Sequence, residues 1–245
     1  PLALTHRAEA AIKNKAMHDL FSLAPDDDNA PAWEHIAIGP QSCVLRGFAL
    51  RWQHDLLAGV TQITQQAPFR HLVTPGGRNI QVATTNCGAL GWYSDRQGYR
   101  YAPRNPISQQ AWPAMPTAFA ELAAKAAQAA ALPSFSPNAC LINRYTVGTR
   151  LTLHQDEGDA SQPIVSVSLG LPATFLWGGH ERSDATQKLP LQHGDEVVFG
   201  AAGFRFSVGD EALHVDAGGA PIMPRQAPAG QRSGWAWPGW ALVAL

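Results

Sequence analysis

The spacing of hydrophobic residues changes twice along the chain. Trp52, Leu56, Val60 and Ile63 recur at the three-to-four-residue interval of one helix face, which predicts an amphipathic helix over roughly Leu50–Gln66. Before it, Cys43-Val44-Leu45 reads as a first strand. After it, Val73-Thr74-Pro75-Gly76-Gly77 spells a tight turn, because proline fixes φ and the glycines permit positive φ. Ile80, Val82 and Thr84 then alternate with other residues as in a strand. Thr117–Ala131 is a second helix, rich in alanine, opened by Pro116 and closed by Pro133, with Phe119 and Leu122 on one face. From Cys140 the period falls to two. Strands are expected at Cys140–Tyr145, Arg150–His154, Ile164–Leu169, Thr174–Trp177, Leu189–Leu191 and Glu196–Phe199. Turn signals separate them at Val147-Gly148, Gly178-Gly179 and His193-Gly194-Asp195. Short, regularly spaced strands after a few helices predict a mainly β chain with flanking helices, folded as an antiparallel double layer.

Length and composition narrow the class. A chain of 245 residues, 45% apolar and 15% charged, fits one globular domain of the larger kind. Residues 1–30, with Asp26-Asp27-Asp28 and Pro31 at their end, read as a loosely ordered extension, and 31–245 as a single domain. No apolar run approaches a membrane span, and no secretory signal is evident. Cys43, Cys87 and Cys140 are odd in number and widely spaced, which is neither a disulfide framework nor a zinc spacing; they read as reduced thiols of a cytoplasmic protein.

Charge becomes informative only locally. The chain carries −1 overall, yet between Arg70 and Arg104 there are five arginines (70, 78, 96, 100, 104) and one acid, Asp95, a balance of +4. Trp92, Tyr93, Tyr99 and Tyr101 are interleaved with them. Cations for phosphates beside aromatic faces for bases suit a single-strand or flipped-base site; a solvated loop edge with ordinary aromatic anchors gives the same composition. Further on, His154 and Asp156 stand two residues apart after Leu151-Thr152-Leu153, so on a strand they point to one side. They supply one imidazole and one carboxylate of the three groups in a 2-His-1-carboxylate iron site. By itself, such a pair is equally a surface histidine beside a solvated aspartate.

Many segments together resemble the bacterial AlkB family of Fe(II)/2-oxoglutarate dioxygenases. They are Val73–Gly77, Thr85-Asn86-Cys87-Gly88, Leu90-Gly91-Trp92, Arg96-Gln97-Gly98-Tyr99, Trp112–Pro116, Cys140–Tyr145, Leu153–Asp156, Pro163–Pro172 and His193-Gly194-Asp195. The match is nearly gap-free from about Phe69 to about Gly200, and the start of the family pattern falls near Met17. The resemblance implies a double-stranded β-helix, or jelly roll, with an N-terminal nucleotide-recognition lid over about 69–110 and a β core over about 138–217. It implies Fe(II), 2-oxoglutarate and O2, the last two converted to succinate and CO2. It further implies hydroxylation of a methyl group on a base nitrogen and its loss as formaldehyde, a DNA-repair activity. The implied partner is alkylated single-stranded DNA, with RNA as a second candidate, and the implied state is a monomer.

Residue by residue, the resemblance implies that His154 and Asp156 ligate iron and that Asn143 and Tyr145 bond 2-oxoglutarate. Trp92 and Tyr99 line the base pocket, Thr74 sits in the turn that grips nucleic acid, and Arg182 reaches substrate. Arg150 keeps the positive charge that a lysine usually supplies there, and Asp159 takes the place of a second acid in a shortened loop. Past Gly200 the pattern departs. Gap-free counting puts the distal histidine at Val208, which has no donor atom. The nearest imidazole is His214, six residues on, or roughly 20 Å along an extended strand, so it ligates only if the chain turns back. The same counting puts the carboxylate-pairing arginine at Arg225, with Arg232 one place from a second arginine. The tail Gly218–Leu245 is rich in glycine, proline and alanine and shows no period-2 run, which predicts missing final strands. Three readings follow: an active demethylase with His214 as third ligand, a nucleic-acid-binding protein impaired in catalysis, and a dioxygenase acting on a small molecule or protein.

Overall fold

The computed structural model describes residues 32–154, 162–178 and 183–200, together with the backbone of 205–209 and 239–244. Ala32–Leu245 cluster as one unit. A hairpin opens it, β1 (Glu34–Gly39) with β2 (Ser42–Arg46). A 3-10 turn, Phe48–Trp52, then leads into α1 (Gln53–Gln66). Next come β3 (Arg70–Val73), β4 (Asn79–Gly88), β5 (Gly91–Asp95), β6 (Gly98–Ala102) and α2 (Thr117–Ala129). The second half gives β7 (Ala139–Tyr145), β8 (Ile164–Leu169), β9 (Ala173–Gly178), β10 (Gln187–Leu191) and β11 (Glu196–Phe199). Last are β12 (Arg205–Gly209) and β13 (Gly239–Ala244).

Three sheets result. The large one has eight strands in the order β1-β2-β11-β8-β13-β7-β4-β3; a smaller one is β10-β9-β12; and β5-β6 is a separate hairpin. Alternation sorts the large sheet's residues between two cores. One face gives Cys43, Leu45, Cys87, Cys140, Ile142, Val165, Val167, Leu169 and Val198 to the helices, which answer with Leu56, Val60 and Ile63 from α1 and Phe119, Leu122, Ala123 and Ala126 from α2. The other face packs Val44, Val82, Tyr145, Val197 and Phe199 against Phe175, Trp177 and Leu191 of the smaller sheet. The rings of Phe175, Trp177 and Phe199 stack at 5.6–6.5 Å between the two sheets. This unit is therefore built of a helix layer, a large sheet and a small sheet, the double-layered β architecture with flanking helices.

Both predicted helices are present, and strands occupy five of the six segments predicted after Cys140. All three cysteines are free and buried. The sixth segment, Arg150–His154, does not run as a strand. Thr146–Thr149 closes a turn through Thr149 N–H donating to Thr146 O at 2.9 Å, with Gly148 at φ +82°. Beyond it the Thr152 carbonyl is taken by the His154 ring at 2.7 Å. A local side-chain bond of that kind competes with a ladder partner for the backbone.

The second correction concerns the tail. Gly239–Ala244 forms β13 in the middle of the large sheet, with Leu242 opposite Ile142 on one side and Val167 on the other. A strand flanked on both sides has no need of alternation, and Trp240-Ala-Leu-Val-Ala is the unbroken apolar run expected of such a strand. The sheet is therefore continuous across β8, β13 and β7. Val208, the position counted for the distal histidine, lies in β12, on the edge of the smaller sheet beside β9.

Candidate functional site

The site is built on the face of the large sheet that looks toward the smaller one. At one level of that face, register sets Thr84 of β4 beside Asn143 of β7. Ala241 of β13 comes next, followed by Ser168 of β8. Thr84, Asn143 and Ser168 are all buried, as is Ser166 on the same face of β8. Four neighbouring strands thus carry small or hydrogen-bonding residues at a level where a purely structural sheet would place valine or isoleucine. Tyr145, two residues after Asn143, shares the face and is also buried.

Asn143 shows that this polar row has capacity to spare. The residue is 3% exposed. Among the described residues nothing donates to its Oδ1. A buried acceptor left unpaired costs about 1–3 kcal/mol, so it marks a place where a bonding group belongs. Turning the amide by half a rotation presents Nδ2–H at the same point, a donor for a carboxylate. The row therefore fits a small polyoxygenated acid such as 2-oxoglutarate.

His154 fits a metal. A carbonyl only accepts, so the 2.7 Å contact from Nδ1 to Thr152 O puts a proton on Nδ1, and in the neutral ring the lone pair is then on Nε2. A ring held by its own backbone in this way is already in the ligating tautomer. Asp156, Asp159, Arg182, His214, Arg225 and Arg232 lie outside the described residues. Val208 lies in β12, in register with Phe175, a residue of the core between the two sheets. Arg150 is exposed.

The lid stands beside this face. Thr74 accepts the Arg78 N–H on its hydroxyl at 3.1 Å, and its own N–H donates to Arg78 O at 2.8 Å, so it closes the β3–β4 turn. Arg100 is committed to Asp95 through two bonds, 2.7 and 2.9 Å long, and lies over the Tyr93 ring. The Arg100 guanidinium holds the Asp95 carboxyl down at about 2. The local excess of positive charge therefore rests with Arg70, Arg78, Arg96 and Arg104. Trp92 and Tyr99 stack across the β5–β6 hairpin, centroids 5.9 Å apart and planes 19° from parallel, with Tyr99 51% exposed. The structure thus brings together Asn143 and Tyr145 on the sheet, and Trp92 and Tyr99 on the hairpin.

Two groups of residues escaped the sequence reading. Ser166 and Ser168 were read only as part of the Ile164–Leu169 strand, although their alternation with Val165, Val167 and Leu169 separates the two faces. Asn86, 3% exposed in the middle of β4, bonds both backbone groups of Trp92. Its signal was an asparagine inside a strand, a setting this residue avoids unless its amide is engaged.

The His193-Gly194-Asp195 turn braces the same sheet and meets the polar row through the Ser168 backbone: Ser168 N–H donates to Asp195 O and Gly194 N–H donates to Ser168 O, both at 2.8 Å. Asp195 accepts from Gly47 N–H at 2.8 Å, Gln192 N–H at 2.7 Å and Arg46 Nη1 at 2.5 Å. His193 accepts the Gly170 N–H on Nδ1 at 2.9 Å and so donates from Nε2 to Gln53 Oε1 at 3.0 Å. Burial pushes its pKa down, in keeping with a neutral ring.

Comparison with known proteins gives the family. Residues 42–210 match the family model of the 2OG-Fe(II) oxygenase superfamily. The alpha-ketoglutarate-dependent dioxygenase AlkB of Salmonella typhimurium is 50% identical over 199 residues, which cover 80% of this chain and 89% of that one. The protein of the same name from Escherichia coli is 48% identical over the same shares. The solved structure of OsALKBH1 superimposes with a TM-score of 0.67 over 86% of this chain and 99% of that one, at 24% identity, a likeness of fold. With a matching family model and half-identity to AlkB over most of both chains, this chain belongs to the AlkB family of Fe(II)- and 2-oxoglutarate-dependent dioxygenases.

Proposed function

We propose that the chain is an oxidative demethylase of N-alkylated bases in nucleic acid, with single-stranded DNA as its first substrate and RNA as its second. In this reading His154 and Asp156 hold the iron, with His214 as third donor. Asn143, Tyr145 and Arg225 hold 2-oxoglutarate. Trp92 and Tyr99 take the base; Thr74, Arg150, Asp159 and Arg182 contact the substrate around it. Bound iron with 2-oxoglutarate and O2 supplies the oxidising power for a methyl C–H bond. The protein's share is to orient the co-substrate on the polar row, to keep the His154 ring in its ligating tautomer, and to present the base in register.

The observation that carries a nucleic-acid substrate is the Trp92–Tyr99 stack, on a stretch of chain that also carries Arg70, Arg78, Arg96 and Arg104. An exposed aromatic face offers stacking to any base, worth about 1–3 kcal/mol per base, and the arginines offer phosphate contacts. A small-molecule dioxygenase has no use for either. The test is formaldehyde and succinate release from a methylated single-stranded oligonucleotide with Fe(II), 2-oxoglutarate and ascorbate. Competition by the unmethylated oligonucleotide is run in parallel. A folded, iron-supplemented sample with no turnover overturns the reading.

A second reading, nucleic-acid binding with impaired catalysis, draws on one observation: the strand position counted as the distal ligand is Val208. It predicts salt-sensitive binding of the oligonucleotide without formaldehyde. Loss of an observed turnover on Asp156→Ala rules it out.

A further inference from the structure

Among the described residues the strands of the hairpin β5–β6 pair with neither of the other sheets; a single bridge, Leu90 with Ala139, lies just before its first strand. Two strands alone are marginal in water, so something outside must fix where the hairpin stands. Trp92 is opposite Tyr101 in its register. The N–H and C=O of Trp92 are bonded instead to one side chain: Trp92 N–H donates to Asn86 Oδ1 at 2.9 Å, and Asn86 Nδ2 donates to Trp92 O at 3.0 Å. A carboxamide has the donor and acceptor of a peptide, so Asn86 does for Trp92 what a third strand would do. Holding both groups fixes rotation about the strand axis, and that rotation aims the Trp92 ring.

Elsewhere the hairpin is tied through Ser94 Oγ donating to Val73 O at 2.6 Å and through Trp112 Nε1 donating to Ala102 O at 2.9 Å. Neither of those bonds is made to Trp92. Asn86, moreover, stands on β4 two residues beyond Thr84, the partner of Asn143 in the polar row. One short stretch of β4 therefore meets both the co-substrate strand and the aromatic hairpin.

We propose that Asn86 is a positioning residue that sets the Trp92 ring for base capture, acting through the Trp92 backbone and touching neither iron nor 2-oxoglutarate. This deepens the demethylase reading and rests on it. The test uses the full chain with Asn86→Leu, which keeps volume and removes both bonds, and Asn86→Asp, which keeps the acceptor for Trp92 N–H and loses the donor to Trp92 O. Both are made also in a Trp92→Ala background. Oligonucleotide affinity is read by fluorescence anisotropy. Coupled turnover is read as formaldehyde, and 2-oxoglutarate turnover without nucleic acid as succinate.

In the native background Asn86→Leu raises the KM and Kd for the methylated oligonucleotide about tenfold, and Asn86→Asp less. Succinate formation without nucleic acid stays unchanged. In the Trp92→Ala background Asn86→Leu adds no further loss, since the group it positions is gone. The proposal is overturned if Asn86→Leu leaves affinity intact. It is overturned equally if the loss persists at full size without Trp92, or if succinate formation falls in step in both variants, because each would mean a purely structural role. Native protein that binds but does not turn over sinks the demethylase reading and leaves the affinity arm to decide this one. Native protein that does neither overturns both.

Discussion

The two faces of the large sheet are made by the same strands, one residue out of phase, and they serve different ends. On β7, Cys140 and Ile142 face the helices, while Asn143 and Tyr145 face the smaller sheet. On β8, Val165, Val167 and Leu169 face the helices, and Ser166 and Ser168 look the other way. The helix-facing side is almost wholly apolar and gains its stability from burial, at about 25 cal/mol per Å². The opposite side is apolar at one end, around Phe175, Trp177 and Phe199, and polar at the other. Among the described residues nothing donates to the Asn143 oxygen there, and an unpaired buried acceptor is a local loss of stability. Period two thus separates folding from chemistry within one segment.

The comparison is sharpened most by His154→Ala. Loss of groups that merely support a metal ligand lowers affinity by about 10–100-fold, so removal of the ligand itself lowers iron affinity and turnover by at least about a hundredfold. The melting temperature without iron is expected to be unchanged. Iron titration of the native and variant proteins checks this, and equal affinities would remove His154 from the site.

Next in size is the pair Ile142→Ala and Asn143→Leu, neighbours on one strand. Ile142 is fully buried against the helices, and its truncation costs about 2–5 kcal/mol in denaturant unfolding, with the activity of the folded fraction intact. Asn143→Leu should be neutral or stabilising, because it removes an unpaired buried acceptor. It should raise the KM for 2-oxoglutarate by roughly 10–100-fold, the loss expected for a hydrogen bond to a charged group. If both variants lose stability alike and KM stays fixed, the division between the faces fails.

The smallest effect tests the exception on the helix-facing side. Glu196 pairs with Val167 and Leu45, which both point to the helices. Among the described residues its carboxyl oxygens have no partner. Burial pushes its pKa well above the usual carboxylate range, against a weaker pull from Arg51. A raised folded-state value means full stability below the unfolded-state pKa, about 4.3, and progressive loss as pH rises from there through the folded-state value. Glu196→Gln keeps the shape without the charge. It should raise the melting temperature by several degrees at pH 8 and by nothing near pH 4. An offset that is the same at both pH values would rule out the carboxyl's titration as its source.

How much of this was readable beforehand depends on the element. The helix-facing core was legible, because Leu56, Val60 and Ile63 announce their own period and all three are buried. Asn143, Tyr145, Trp92 and Tyr99 were singled out through a dense family resemblance, and the structure sets the first two, buried, on one strand and stacks the other two across one hairpin. The strand expected at Arg150–His154 was not borne out: only Arg150 and His154 make single bridges there, and between them the Thr152 carbonyl is taken by the His154 ring. β1, none of whose residues is buried, gave too weak an alternation to be noticed. β13 was missed for the opposite reason, a central strand whose run of apolar residues has no period to read.

The sequence by itself determined which residues alternate, hence the two cores, the helices that cover one of them, and the family. Those are local or repeated signals, carried by residues a few positions apart. Only the tertiary structure decided that Thr84, Asn143, Ala241 and Ser168 stand in one row, since register between strands far apart in the chain has no local code. It alone decided that Asn86 holds Trp92, because a carboxamide reaches its partner only after β4 and β5 have been brought side by side.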